Sequence, residues 1–125
     1  MTREEFINEL DRKGYSYNKT ESDIIITHRD KVWLDDMESI PAGVEFVNKG
    51  EVRLNSLNFF SERTKLNNSG KIYLHSIKEF PRDIEFGKNI TDIRIGHKWF
   101  SDYQFDINDI NKARYFSLLI KKGLI

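Results

Sequence analysis

The chain of 125 residues contains no cysteine. Disulfide frameworks, thiolate metal sites and a cysteine nucleophile are thereby excluded, and a reducing cytoplasm is the expected location. No apolar run exceeds three residues, Ile24 to Ile26 being one of them, far short of a membrane-spanning helix. The first residues, Met-Thr-Arg-Glu-Glu, lack the apolar stretch of a signal peptide. Charge of one sign is also missing, since 20 basic residues balance 20 acidic ones. A general nucleic-acid binder carries a basic surplus and a nucleic-acid mimic an acidic one, so neither is expected. Proline is scarce, and its two copies, Pro41 and Pro81, fall in one column of the repeat described below.

Signatures of chemistry are equally sparse. His28, His75 and His97 are the only histidines, and none has the spacing of a zinc motif such as H-E-x-x-H. Asp30, Asp35, Asp36 and Glu38 cluster without the spacing of a calcium loop and read as a solvated acidic edge. No glycine-rich phosphate loop or G-x-S-x-G elbow occurs. His75 with Asp35 as a base pair would stand two rungs apart, about 10 Å. The expectation is therefore a protein without enzymatic activity, cofactor or metal.

What the chain does contain is an internal repeat of 20 residues over residues 31–110. Four segments align without gaps, beginning at Lys31, Glu51, Lys71 and Thr91. Apolar columns read Val32, Val52, Ile72; Leu34, Leu54, Leu74; Met37, Leu57, Ile77; Ile40, Phe60, Phe80, Phe100; and Phe46, Leu66, Phe86. Pro41, Ser61, Pro81 and Ser101 share a column, as do Asn48 and Asn68, and Gly50 and Gly70. The fourth segment slips by one position, its alternation being Ile93 and Ile95. Ile24 and Ile26 fall in the columns of Val44 and Phe46, so residues 15–30 read as a partial first coil.

Val-x-Leu and Val-x-Phe alternate with period two, which predicts two short strands per repeat, each with one buried face. Neither strand buries its face alone, but coils stacked about 4.8 Å apart turn each column into an apolar ladder. The fold class is thus α+β: a short β-rich solenoid of about four coils with a helix over each end, forming a single domain over 1–125. Thr2-Arg3-Glu4-Glu5 is a capping-box pattern that starts a helix over 2–14, with Phe6, Ile7 and Leu10 as its apolar face and Gly14 as its stop. A second helix is expected over 110–122, capped by Asp109 or a neighbour, with Ile110, Ala113, Leu118 and Ile120 among its apolar residues and Tyr115 and Phe116 adding area.

The stretch Val32-x-Leu34-x-x-Met37-x-x-Ile40-Pro41, echoed from Val52 and from Ile72, resembles leucine-rich repeats, most of all the short 20-residue bacterial kind. With the trailing G-V-x-F-x-N-x-G it is also similar to small repeat proteins of phages and prophages. The resemblance covers residues 31–90. It implies protein or ligand binding rather than a reaction. Two features depart from the leucine-rich pattern. Asp36, Ser56 and Ser76 stand where the family's ladder asparagine belongs, and the second strand is stronger than usual, so a β-helix remains an alternative.

By that resemblance the outward residues of the first strand line the ligand face. They are Trp33, Arg53, Tyr73 and, after the slip, Arg94, flanked by Asp35, Asn55 and His75. Trp, Tyr and Arg are enriched at binding hot spots, although the same stripe also suits cross-strand stabilisation. The second strand's outward column, Glu45, Lys65 and Glu85, alternates in sign and reads as structural. Phe59 and Trp99, in one column beside the core, are expected to be partly buried. The leading expectation is a protein-interaction module, such as a phage-encoded inhibitor or adaptor of a host protein. Sequestration of a small ligand or nucleotide is the second reading and a structural or self-assembling role the third, with a homodimer left open.

Overall fold

In a computed structural model that describes residues 1–101 and 108–125, alternate residues of the stacked strands point inward. The strands are β1 (Tyr17–Lys19), β2 (Ile24–Ile26), β3 (Val32–Trp33), β4 (Val44–Phe46), β5 (Val52–Arg53), β6 (Lys65–Leu66), β7 (Gly70–Leu74), β8 (Glu85–Phe86), β9 (Ile90–Ile95) and β10 (Lys98–Phe100). Helix α1 (Arg3–Lys13) precedes them and α2 (Asp109–Lys121) follows. Val32, Leu34, Val52, Leu54, Ile72 and Leu74 are fully buried from one side, and Ile24, Ile26, Val44, Phe46 and Leu66 from the other. The burial of these columns is the main stabilising term, at about 25 cal/mol per Å² of apolar surface.

Two sheets of five strands result, ordered β1-β2-β4-β6-β8 and β10-β9-β7-β5-β3. Pairing between coils is parallel and follows the 20-residue period: Ile24 lies beside Val44, Val32 beside Val52, and Val52 beside Ile72. The protein is a β-solenoid of about four turns. The second strand pairs in its own sheet as the first does, which accounts for its strength in the sequence.

The slip at Thr91 is a β-bulge. Gly70 pairs with Ile90 and Ile72 with Ile93, so β9 carries one extra residue between these pairs. Beyond it the chain departs from the expected fourth coil. Gly96, at φ 59°, turns the chain, and β10 returns antiparallel to β9 with Trp99 opposite Arg94. The remainder of that expected coil, residues 102–107, lies outside the described residues.

Each end is closed. In α1 the Thr2 hydroxyl accepts from the Glu5 N–H, the Glu5 carboxylate accepts from the Thr2 N–H, and Phe6 and Leu10 are buried on the first coil. At the other end Asn108 caps α2 by accepting from the Asn111 N–H. Phe116 sits among Phe80, Phe86 and Phe100, with ring centroids 5.5, 6.1 and 5.1 Å away. The inward stripe of α2 is Ala113, Phe116 and Ile120, at helical spacing. Ile110, Tyr115 and Leu118, which the sequence places among its apolar residues, are exposed because they lie off that stripe.

Asn48 and Asn68 are fully buried at the corner that leads from the second strand to the first. The Asn48 amide donates to the carbonyls of Asp30 and Gly50 at 3.1 and 3.2 Å. The Asn68 amide donates to those of Gly50 and Lys71 at 3.0 and 3.3 Å. An internal asparagine ladder is therefore present, at a different corner from that of leucine-rich repeats.

Candidate interaction face

Outward residues of β3, β5, β7 and β9 lie side by side: Trp33 pairs with Arg53, Arg53 with Tyr73 and Tyr73 with Arg94. The one-residue bulge moves Arg94 into this row. Parallel pairing stacks these side chains at the rung spacing, and their chemistry then locks them. The Arg53 guanidinium lies 4.8 Å from the Trp33 ring centroid and 5.5 Å from that of Tyr73. The reversal at Gly96 adds Trp99, whose ring meets Tyr73 edge-on at 5.2 Å and lies 5.8 Å from the Arg94 guanidinium.

Further groups fix the ends of the row. The Lys31 ammonium stands 4.3 Å from the Trp33 ring centroid and the Lys71 ammonium 5.4 Å from that of Trp99. The Trp33 indole N–H donates to the Glu51 carboxylate at 2.8 Å. Trp33 and Trp99 nevertheless remain 38% and 40% exposed. Arg53, Tyr73 and Arg94 are half-buried between them. The result is a preorganised row of rings and cations running across four rungs and the returning hairpin.

The neighbouring column has a different task. The Asp35 carboxylate accepts from the Asn55 N–H at 3.0 Å, and the Asn55 side-chain oxygen accepts from the His75 N–H at 3.1 Å. Asp35 also pairs with Arg53, Oδ2 to Nε, at 3.1 Å. These side chains carry the ladder beyond the ends of the strands and hold Arg53 in place. Asn55 stands between Asp35 and His75, which are therefore not a catalytic pair. The His75 ring instead meets His97 edge-on at 4.8 Å. Of the sequence-derived site residues, Trp33, Arg53, Tyr73 and Arg94 form the row, Asp35 and Asn55 brace it, and His75 ends the brace.

Four contributors are not among the sequence-derived site residues: Trp99, and Lys31, Glu51 and Lys71, which share the first column of the repeat. Gly96, directly after the alternation of Ile93 and Ile95, is the signal for the hairpin that delivers Trp99. Trp99 and Phe59 are both exposed rather than partly buried. Phe59 lies away from the row, on the side where its backbone bridges Glu79 of the next coil.

On the outer face of the other sheet both outward cations, Arg63 and Lys65, are paired. The Arg63 guanidinium reaches over Gly43 to the Asp23 carboxylate at 2.6 Å, and Lys65 faces Glu85 at 3.5 Å. The Asn67 amide donates to Glu45 at 2.7 Å. Among the described residues no group of three or more His, Cys, Asp or Glu side chains is placed to hold a metal ion. No helix among them is long and apolar enough to cross a membrane. No protein-family model matches the chain, and comparison with curated proteins and with solved structures gives no match either.

Proposed function

We propose that the chain is a non-enzymatic interaction module that engages a protein partner through the row Trp33, Arg53, Tyr73, Arg94 and Trp99. The observation that carries this reading is the combination of exposure with fixation. Two tryptophans stay well exposed although each is held by a cation on its ring. Side chains already ordered before binding lose less entropy on association, and Trp, Tyr and Arg are the residue types that dominate binding energy. The resemblance to leucine-rich and phage repeat proteins supports the more specific role of an inhibitor or adaptor acting on a host protein.

Affinity capture from the source cells tests this reading. Wild type is expected to retain a partner that the double variant Trp33→Ala/Tyr73→Ala loses, while the two proteins melt as single transitions. Undiminished capture by the double variant contradicts it.

A further inference from the structure

Strand edges at the ends of the two sheets are covered unequally. At β3 the Tyr15 hydroxyl accepts from the Trp33 N–H and donates to the Trp33 carbonyl. At β8 the Phe86 N–H donates to the Asp109 carboxylate of α2 at 3.3 Å. At β10 the edge is bare. The Gly96 N–H donates to the Leu74 carbonyl at 3.0 Å, so the backbone groups of Arg94, two residues earlier, also point toward β7 and away from β10. Trp99 stands opposite Arg94 in the antiparallel pair, so its own N–H and carbonyl point away from β9. Strand β10 ends its sheet, and no described residue hydrogen-bonds to either group. The edge is thus open at the residue whose exposed ring ends the aromatic row.

The geometry points to strand addition: an extended segment of the partner protein pairs with β10 through the Trp99 N–H and carbonyl. This rests on the row being the binding surface and adds how the partner is held. An added strand lies one rung, about 4.8 Å, beyond β10. Every second side chain of it continues the row past Trp99. The alternate ones point inward, to the side on which Phe100 meets Phe116 of α2 at 5.1 Å. Backbone pairing supplies the grip, and the row selects the side chains. The edge of β1 is the internal control. Its Thr27 N–H donates to the Ser16 carbonyl across the hairpin, so by alternation Tyr17 and Lys19 turn their backbone groups outward. There the Tyr17 hydroxyl is tied to Asp11, and the exposed side chains are Asn18 and Lys19, with no ring row to receive a partner.

Random-peptide display on the full chain supplies the probe, and amide hydrogen exchange read by NMR tests the inference. The Trp99 amide is expected to exchange rapidly in the free chain and about tenfold or more slowly with a selected peptide bound, while the amides of Tyr17 and Lys19 stay unchanged. N-methylation along the peptide should weaken binding at alternate positions only, since every second N–H faces β10. Trp99→Pro, which also removes the N–H, should bind the peptide about tenfold more weakly than Trp99→Ala. The two variants should melt alike, because an edge strand tolerates proline. A Trp99 amide that exchanges as fast with peptide as without it, or N-methyl losses that do not alternate, overturns strand addition. The face reading then stands if Trp33→Ala/Tyr73→Ala still abolishes that binding. Binding that survives the double variant and leaves the Trp99 amide unprotected overturns both. Protection at Tyr17 and Lys19 instead, a Trp99 amide already slowed in a dimer of the free chain, or an empty selection overturns strand addition as well.

Discussion

The Tyr15 hydroxyl accepts from the Trp33 N–H at 3.0 Å and donates to the Trp33 carbonyl at 3.3 Å. Strand β3 ends its sheet, and these are the outward-facing backbone groups of its last residue. One phenol therefore stands in for a missing coil. It also holds the backbone of the residue that begins the aromatic row, so closing the solenoid and shaping its outer face are one structural act.

Replacing Tyr15 with Phe keeps the ring against His28 but removes both bonds. A loss of about 0.5–1.5 kcal/mol is expected, since these edge groups are exposed and water can replace the phenol. The opened edge should also raise self-association in light scattering, because an unpaired strand invites another. A variant as stable and as dispersed as wild type would show the edge to be protected by other means.

Gly14 and Gly43 separate backbone conformation from crowding. Both have left-handed φ, 76° and 75°. A Cβ on Gly14 meets nothing within 4 Å, whereas one on Gly43 meets the Ser22 carbonyl at 2.5 Å and the Asp23 carboxylate at 2.6 Å. Gly14→Ala should cost about 1 kcal/mol, the conformational part alone. Gly43→Ala should cost clearly more, about 2–4 kcal/mol, as backbone is forced apart. Denaturant unfolding of the two variants measures the difference, and equal losses would be inconsistent with the close approach of Arg63, Asp23 and Gly43.

The buried amides bind adjacent coils, so Asn68→Ala should cost about 1–3 kcal/mol by leaving the Gly50 and Lys71 carbonyls without that donor. Asn67, one residue earlier, donates to a surface carboxylate, and Asn67→Ala is expected to change stability by about 0.5 kcal/mol or less. Chemical denaturation of this neighbouring pair distinguishes an internal ladder from a solvated corner. A reversed ranking refutes the ladder's role.

Acid should loosen the N-terminal cap. The Thr2 backbone N–H, and next its hydroxyl, hold the Glu5 carboxyl below the ordinary glutamate range, and Arg12 does the same for Glu9. A carboxyl depressed on folding contributes stability above its unfolded pKa and loses it as pH falls through the folded value. Melting temperature should therefore decline as the pH drops below about 4.3. In Glu5→Ala/Glu9→Ala, part of that decline should vanish. An unchanged acid slope in the variant rules out these two groups as its source.

The period of the fold was legible because each buried column repeats one residue type at one spacing. Val32, Val52 and Ile72 announce both the strand and its neighbours. Even the slip at Ile93 was visible, since a bulge displaces an alternation without destroying it. The helices were legible from Thr2 and Gly14 and from the apolar run around Phe116. What stayed hidden depends on direction rather than spacing. Trp99 shares a column with Phe59, but the turn at Gly96 carries it back onto the row beside Arg94. Asp35 and Asn55 point outward like their neighbours, and only the positions of the next coil's N–H groups show that they are spent on structure. Tyr15 opens the partial first coil and has no counterpart tyrosine one period on, so no column could place its hydroxyl on Trp33.

Site-specific photo-crosslinking in the source cells tests the central claim most directly. A benzoylphenylalanine side chain is placed either at Tyr73, in the aromatic row, or at Lys65, on the outer face of the other sheet. An adduct with one protein partner is expected from position 73 and none from position 65. An adduct from position 65 alone would contradict the assignment of the working face.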